Sequence, residues 1–296
     1  MTTPAAGTAA LLKRVRLLEL VARRNAAGVL AGDYRTAIRG QGMVFHESRK
    51  YVPGEPARRI DWATTARLGE PYVKVHLEER RRQVWIALDV SPSMHSGFQA
   101  RTKLEYGVEL AATLAASASA AGDRLGYVLF ADRVLAQSYP RAGKAQLFRL
   151  LRALLEHAGA WRRPVTESDP RAAIHALERY RRGRFVVFLI SDFIDHDLPQ
   201  DLHYLRPRHD VSLLHVYDPL EYETSRDVVF PAYAPEGPGR RRGALHPGAT
   251  GTLDELQRLL RRTCARHRIA CASFPTHLPV RTALDRFFHR KRRLAG

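Results

Sequence analysis

The fold is decided by one stretch of the sequence, which runs Val84-Trp85-Ile86-Ala87-Leu88-Asp89-Val90-Ser91-Pro92-Ser93-Met94. Its first half is a continuous apolar run that contains Val, Ile and Trp, which is typical of a strand buried on both faces of a parallel sheet. Its second half turns polar at once, because an aspartate is followed by serines two and four residues later. The stretch therefore predicts an α/β fold in which a buried strand ends in a polar loop.

The polar half of this stretch is a candidate metal site. In open α/β sheets, the loops at the carboxyl ends of parallel strands line the crevice where ligands bind. Asp89, Ser91 and Ser93 would supply one carboxylate and two hydroxyls there, hard oxygen ligands of the kind that Mg²⁺ takes while it keeps several waters. The alternative is that these side chains only cap the helix that follows. The residues alone leave both interpretations open.

Length and composition indicate a globular protein with a sizeable core. The chain has 296 residues, 45% of them hydrophobic and 26% charged, which is enough for one large α/β domain and a smaller appendage. No apolar run approaches the roughly 18 residues of a membrane span. The N-terminal region is not a secretory signal, so we expect a cytoplasmic protein. Cys264 and Cys271 are too few for a disulfide framework or a cysteine-based zinc site.

The net charge of +18 favours acidic partners, such as a nucleic acid, a membrane surface or an acidic protein. The densest basic runs are Arg80-Arg81-Arg82, Arg240-Arg241-Arg242 and His289-Arg290-Lys291-Arg292-Arg293. None of them is interleaved with aromatic residues or forms a known nucleic-acid-binding motif. We interpret them as solvated surface and keep nucleic-acid binding as the alternative function.

The rest of the chain alternates predicted strands and helices, as expected for a doubly wound sheet. An amphipathic helix over residues 9 to 30 comes first, whereas residues 34 to 72 show little periodicity. The other predicted strands cover residues 125–131, 185–190, 211–217 and 269–274, with a hairpin arm at 134–138. The other predicted helices cover residues 103–121, 144–156, 170–180, 201–208, 253–267 and 280–294. The last helix is basic and amphipathic, which predicts docking on the core, with a membrane-surface helix as the alternative.

A second motif lies in the aperiodic segment. It runs Glu47-x-Arg49-x-Tyr51-x-Pro53-Gly54, then Arg59-Ile60-Asp61-Trp62 and Ala66-Arg67, and the Asp89-x-Ser91-x-Ser93-Met94 motif follows it. Together the two motifs resemble the bacterial family called domain of unknown function 58. The resemblance is close over residues 40–94, and the order of elements agrees to about residue 217. It implies a von Willebrand factor A-like fold, a doubly wound and mostly parallel sheet with helices on both faces.

On this basis we expect three parts of the chain. Residues 1–80 would hold the N-terminal helix and an irregular family-specific segment packed on the core, and residues 81–217 would form the von Willebrand factor A-like core. Residues 218–296 would form an extended arm, the C-terminal helices and a short strand. Many family members begin with two transmembrane helices, but this sequence shows none and is similar to the shorter, soluble type.

The resemblance also implies a metal-ion-dependent adhesion site for Mg²⁺ or another divalent cation. Its ligands here would be Asp89, Ser91, Ser93, Asp192 and either Ser168 or Thr166. Spacing to the next helix favours Ser168 where the family usually has threonine, although both hydroxyls could instead be helix caps. Asp192 follows the buried strand at 185–190, where a second carboxylate would approach Asp89.

The family-specific motif has two interpretations. It could form a structural clasp, in which Tyr51 and Trp62 pack on the sheet while Arg49, Arg59 and Asp61 satisfy one another. It could instead form part of a partner-binding surface, to which we assign Glu47, Arg49, Tyr51, Arg59, Asp61, Trp62 and Arg67.

No catalytic set emerges from the sequence, so we expect a binding protein rather than an enzyme. There is no Gly-x-Ser-x-Gly elbow, and Ser91 stands where an Asp-x-Asp phosphatase has its second acid. By resemblance, the protein would act as an adaptor or chaperone with a MoxR-type AAA+ ATPase and a client protein. An acidic side chain of the partner would complete the shell of the ion.

Overall fold

A computed structural model describes residues 4–27, 34, 43–53, 55, 60–78, 82–97, 100–158, 168–180, 183–194, 202–205, 208–223 and 253–295. The chain forms two compact units, one of residues 1–38 together with 83–296 and one of residues 39–82. Helix α1 (Pro4–Ala26) belongs to the larger unit. The division expected from the sequence had grouped this helix with the family-specific segment.

The smaller unit contains two strands and a helix that were not predicted, although the alternation of Val73, Val75 and Leu77 in the second strand is itself a strand signal. Strand β1 (Met43–Lys50) pairs antiparallel with β2 (Tyr72–Glu78), and helix α2 (Trp62–Leu68) lies between them in sequence. The expectation of an irregular segment is therefore corrected for these residues. Antiparallel pairing is made by backbone groups, so a strand such as β1, in which residues 46–50 are all polar, can form without alternating apolar residues.

The larger unit is built on a sheet whose described strands are mostly parallel. Its described strands are β3 (Gln83–Asp89), β4 (Arg124–Phe130), β5 (Val134–Arg141), β6 (Phe185–Ser191), β7 (Asp210–Tyr217) and β8 (Ala270–Pro275). Within the described residues the sheet has six strands in the order β5-β4-β3-β6-β7-β8. Only β5 among them runs antiparallel, on the edge beside β4, which confirms the predicted hairpin arm. Strand β3 is central, with β4 and β6 as its neighbours.

Helices cover both faces of this sheet. Those described after the central strand are α3 (Lys103–Ala120), α4 (Lys144–Ala158), α5 (Pro170–Glu178), α6 (Leu202–Leu205), α7 (Leu220–Glu223), α8 (Leu253–Arg266) and α9 (Val280–Ala295). Alternate residues of β3 enter two separate apolar cores, because successive side chains of a strand point to opposite faces. Ile86 packs in the core that holds α1, α3, α4 and α9, and Trp85 packs in the core that holds α5, α6 and α8. The doubly wound α/β prediction is confirmed.

The C-terminal helix docks on the core. Leu284, Phe287 and Phe288, the apolar side chains of α9, are buried in the same core as α3. On the same helix the Lys291 ammonium donates to Asp210 Oδ1 at 3.0 Å and to Ser212 Oγ at 2.9 Å. The predicted docking is confirmed, and the apolar face that a membrane-surface helix would need is already covered. Across the described residues, no helix combines the length and apolarity needed to span a membrane.

Candidate metal centre

The candidate metal centre lies where the central strands end. Asp89 is the last residue of β3, and Ser191 is the last residue of β6, its parallel neighbour. The loop before α5 is tied to the same edge, because Asp169 N donates to the carbonyl of Ala131 just after β4 at 2.8 Å. The carboxyl ends of three adjacent strands thus bring these polar residues together, in the position where open α/β sheets bind ligands.

The Asp89 carboxylate is fully buried and is held by three donors. Its Oδ1 accepts a hydrogen bond from Ser91 N at 2.9 Å, and its Oδ2 accepts from Ser168 Oγ and Ser191 Oγ, both at 2.7 Å. Burial raises the pKa of Asp89, the nearby charge of Asp192 raises it further, and the serine hydrogen bonds oppose these effects. A cation beside this carboxylate would therefore stabilise its charged form.

Asp89 makes the Asx turn that the capping alternative predicts, because its Oδ1 accepts from the backbone N two residues on, but helix capping does not explain the serine side chains. Ser91 precedes the 3-10 turn Pro92–His95, yet its side chain makes no capping hydrogen bond, and its Oγ lies 3.1 Å from Ser93 Oγ. The cap of α5 is Asp169, whose Oδ1 accepts from Arg171 N at 2.9 Å, while the Ser168 hydroxyl turns to Asp89 instead. Ser91 and Ser168 are thus placed around the buried carboxylate, as a ligand set requires.

A second buried carboxylate, Asp192, lies in the same cluster and is paired with a lysine. Lys103, the first residue of α3, donates from Nζ to Asp192 Oδ2 at 2.9 Å and to Glu221 Oε1 at 2.8 Å. The same Glu221 oxygen accepts from Ser96 Oγ at 2.5 Å. The side chains of Lys103 and Asp192 are 0% and 1% exposed, so this is an ion pair removed from water.

The lysine decides the charge state of this pair. Burial alone would raise the pKa of Asp192, but the charge and hydrogen bond of Lys103, together with hydrogen bonds from Ser93 and the Ile194 backbone, outweigh burial and hold that pKa below its usual range. Burial alone would lower the pKa of Lys103, but the charges of Asp192 and Glu221 outweigh it and raise that pKa. Asp192 and Lys103 are therefore both charged at neutral pH.

The donor set fits a divalent cation in chemistry and in charge. Among the described residues, no three His, Cys, Asp or Glu side chains group to hold a metal, so the serine hydroxyls would have to act as ligands beside Asp89. Carboxylate and hydroxyl oxygens are ligands that Mg²⁺ accepts together with water. When Asp89, Asp192 and Glu221 are ionised, their three negative charges and the positive charge of Lys103 leave two negative charges. A divalent ion would neutralise them.

The structure places most of the predicted ligands in this cluster. Asp89, Ser91, Ser93, Ser168 and Asp192 come together at the sheet edge. Thr166, the alternative to Ser168, lies outside the described residues.

The predicted partner-binding residues belong to the smaller unit. Asp61 caps α2 by accepting from Thr64 N at 3.3 Å and also accepts from Ser48 Oγ at 2.8 Å. Arg49 pairs with Glu55 rather than with Asp61. The predicted pairing of Arg49 with Asp61 is therefore corrected, while the part of the predicted clasp that involves Arg59 lies outside the described residues.

Of the two aromatic residues in the family-specific motif, Tyr51 fits the structural interpretation and Trp62 fits the partner-binding interpretation. The Tyr51 hydroxyl donates to the carbonyl of Glu55 at 3.3 Å, a local structural contact. Trp62, in contrast, is 69% exposed. Arg67 is exposed near the end of α2, whereas Arg59 and the side chain of Glu47 lie outside the described residues.

Several residues of the cluster were not found from the sequence. Ser191 carries a weak signal, because it stands at the end of a buried strand directly before Asp192. Lys103 looks like an ordinary solvated lysine at the start of a helix, and Glu221 lies far away in sequence. Nothing in the sequence pairs these two, because only the fold brings α3 and α7 to the same edge.

The mostly parallel sheet, the helices on both faces and the serine–aspartate cluster at the carboxyl edge define a von Willebrand factor A-like α/β protein. The chain belongs to the family described as Protein of unknown function DUF58, which matches residues 47–228. The family expected from the two sequence motifs is therefore confirmed.

Among similar proteins are Uncharacterized protein Mb1516 of Mycobacterium bovis and Uncharacterized protein Rv1480 of Mycobacterium tuberculosis, each 33% identical over 216 residues. Each match covers 71% of this chain and 66% of the relative, so the chain spans slightly less than two thirds of their length. Among solved structures, BatB of Bacteroides thetaiotaomicron matches with 16% identity and a TM-score of 0.47, over 71% of this chain and 98% of BatB. The SpRpn10 VWA domain matches with 12% identity and a TM-score of 0.38, over 71% of this chain and 95% of that domain.

Proposed function

We propose that this protein is a non-enzymatic, metal-dependent protein-binding module. Mg²⁺ or another divalent cation would be held by Asp89, Ser91, Ser93 and Ser168, and a carboxylate from a partner protein would complete its shell. The observation that carries the proposal is the environment of Asp89, a fully buried carboxylate ringed by serine side chains that do not cap helices. The charge of the ion would make an acidic side chain of the partner a strong and directional ligand.

The partner that we propose is a MoxR-type AAA+ ATPase, for which the protein would act as an adaptor or chaperone in assembling or activating a client complex. This partner comes from the resemblance of the family motifs. The exposed Trp62 supports a second contact on the smaller unit, because tryptophan is enriched at the centres of protein interfaces. We further propose that the protein works in the cytoplasm.

The test compares binding by wild-type protein and by Asp89→Ala, each with Mg²⁺ and with EDTA, in pull-downs from the native cell extract. Asp254→Ala is the matched control, since it removes the same charge from an exposed position in the first turn of α8. We expect the ATPase or its client to be retained by the wild type and the control only with Mg²⁺, and by Asp89→Ala under neither condition. Thermal unfolding of each variant verifies that it is folded. Equal retention in all lanes would refute the proposal.

Nucleic-acid binding remains the alternative, and the same experiment separates it. It predicts retention of nucleic acid that falls steeply as salt rises and does not respond to EDTA. The described part of the basic runs gives this alternative limited support, because Lys291 in the C-terminal run is buried and paired with Asp210.

A further inference from the structure

The Lys103 ammonium is a cation already built into the candidate metal centre. Its side chain is 0% exposed and joins two carboxylates, Asp192 and Glu221. Lysine is rarely buried completely unless it is paired, and the full burial of this one excludes any surface role. Helix α3 does not need it either, since Thr102 and Glu105 form the capping box at the start of that helix.

This contact bears on Asp192, the second carboxylate of the centre. Asp192 Oδ2 is taken by the ammonium, Oδ1 faces the backbone N of Ile194 at 3.4 Å, and the Ser93 side chain also hydrogen-bonds this carboxylate. A carboxylate oxygen engaged by an ammonium is a poor ligand for a second cation, because the two positive charges repel each other and the lone pairs are partly used. Asp89, in contrast, accepts hydrogen bonds only from neutral donors among the contacts described above.

We propose that Lys103 is a resident cation that withholds Asp192 from the divalent ion and so keeps the affinity of the centre for that ion low. The inference rests on the proposed function, because it concerns the same ion. A centre with one free carboxylate binds a divalent ion more weakly than a centre with two, since ligand charge sets affinity. The missing carboxylate is then supplied by the acidic partner, so ion and partner bind together.

Glu221 holds the ammonium in place from the other side. Its Oε1 accepts from both Lys103 and Ser96, while its Oε2 is buried without a hydrogen-bond partner among the described residues. Removing Lys103 alone would leave Asp192 and Glu221 as unpaired carboxylates and threaten the fold. Removing the charges of Lys103 and Glu221 together keeps the net charge of the cluster unchanged. Any gain in metal affinity in that double variant reports the release of Asp192 rather than added negative charge.

The experiment is isothermal titration of the full chain with Mg²⁺, comparing wild type with the double variant Lys103→Met/Glu221→Gln. We expect the double variant to bind Mg²⁺ at least about tenfold more tightly, as one additional carboxylate ligand would provide. Adding Asp192→Asn to the double variant should abolish the gain. Lys291→Met is the matched control, because it removes another buried lysine paired with an aspartate, and its Mg²⁺ affinity should equal that of the wild type.

Equal or weaker Mg²⁺ binding by the double variant would overturn the role of Lys103, as would a gain that survives Asp192→Asn. If the double variant does not fold, the Mg²⁺ affinity of Glu221→Gln alone tests the inference. It leaves the ammonium to Asp192 alone, and we expect several-fold weaker Mg²⁺ binding, whereas unchanged or tighter binding overturns the inference. Mg²⁺ binding by the double variant but not by the wild type would refute the metal-dependent function proposed above while supporting the role of Lys103. Absence of binding in every variant would overturn both.

Discussion

Replacing Lys103 with methionine should destabilise the protein strongly, because it removes the ammonium and keeps an unbranched side chain in the same space. Two contacts of 2.9 and 2.8 Å are lost, to Asp192 and Glu221. At such distances and an effective dielectric constant near 20, each gross attraction is about 6 kcal/mol. Desolvation of the charges offsets much of this attraction, so the net loss is set by the carboxylates left buried and unpaired. Breaking such a pair costs about 3–5 kcal/mol.

The assay is urea unfolding at neutral pH in EDTA, supported by thermal unfolding. A loss of that size corresponds to a fall in Tm of roughly 5–10 °C for a domain of this size. The double variant Lys103→Met/Glu221→Gln should recover part of the loss, because one of the two unpaired charges is gone. A single variant within about 1 kcal/mol of the wild type would refute the reasoning, since it would mean that the pair contributes no more than an exposed ion pair does.

The remaining predictions concern the smaller unit and the dependence of stability on pH. Trp62→Ala should weaken binding of the partner captured with Mg²⁺ by about tenfold or more. It should leave the circular dichroism spectrum unchanged, because Trp62 is 69% exposed. Undiminished binding would exclude Trp62 from the interface. The pKa of His209 is lowered to about 4 by burial and then by the charges of Arg208 and Arg184. The imidazole of an unfolded chain takes up a proton near pH 6.5, so the wild type should lose stability relative to His209→Gln as pH falls from about 6.5 to about 4. Urea unfolding at several pH values measures this loss, and parallel stability profiles of the two proteins would contradict the prediction.

The local sequence identified the elements whose burial leaves a clear pattern. The apolar runs that became β3 and β6 are buried on both faces, and their short length and their content of Val, Ile and aromatic residues favour parallel strands over a buried helix. Leu284, Phe287 and Phe288 share one side of a helix in the sequence and are buried together in the structure. The strand β1 was missed, because its polar residues carry no period that distinguishes a paired strand from a loop.

The sequence by itself determined the class of fold, the family and the candidate ligands that follow strand ends, since an apolar strand followed at once by polar residues is a local signal. Only the tertiary structure decided what those ligands touch. Ser191 and Ser168 reach Asp89 because parallel strands end at one edge, and Lys103 reaches Glu221 across 118 residues of chain. Electrostatic pairing depends on distance in space and on burial, neither of which local sequence encodes. The charge of the candidate centre is therefore a property of the fold, although each of its ligands is a property of the sequence.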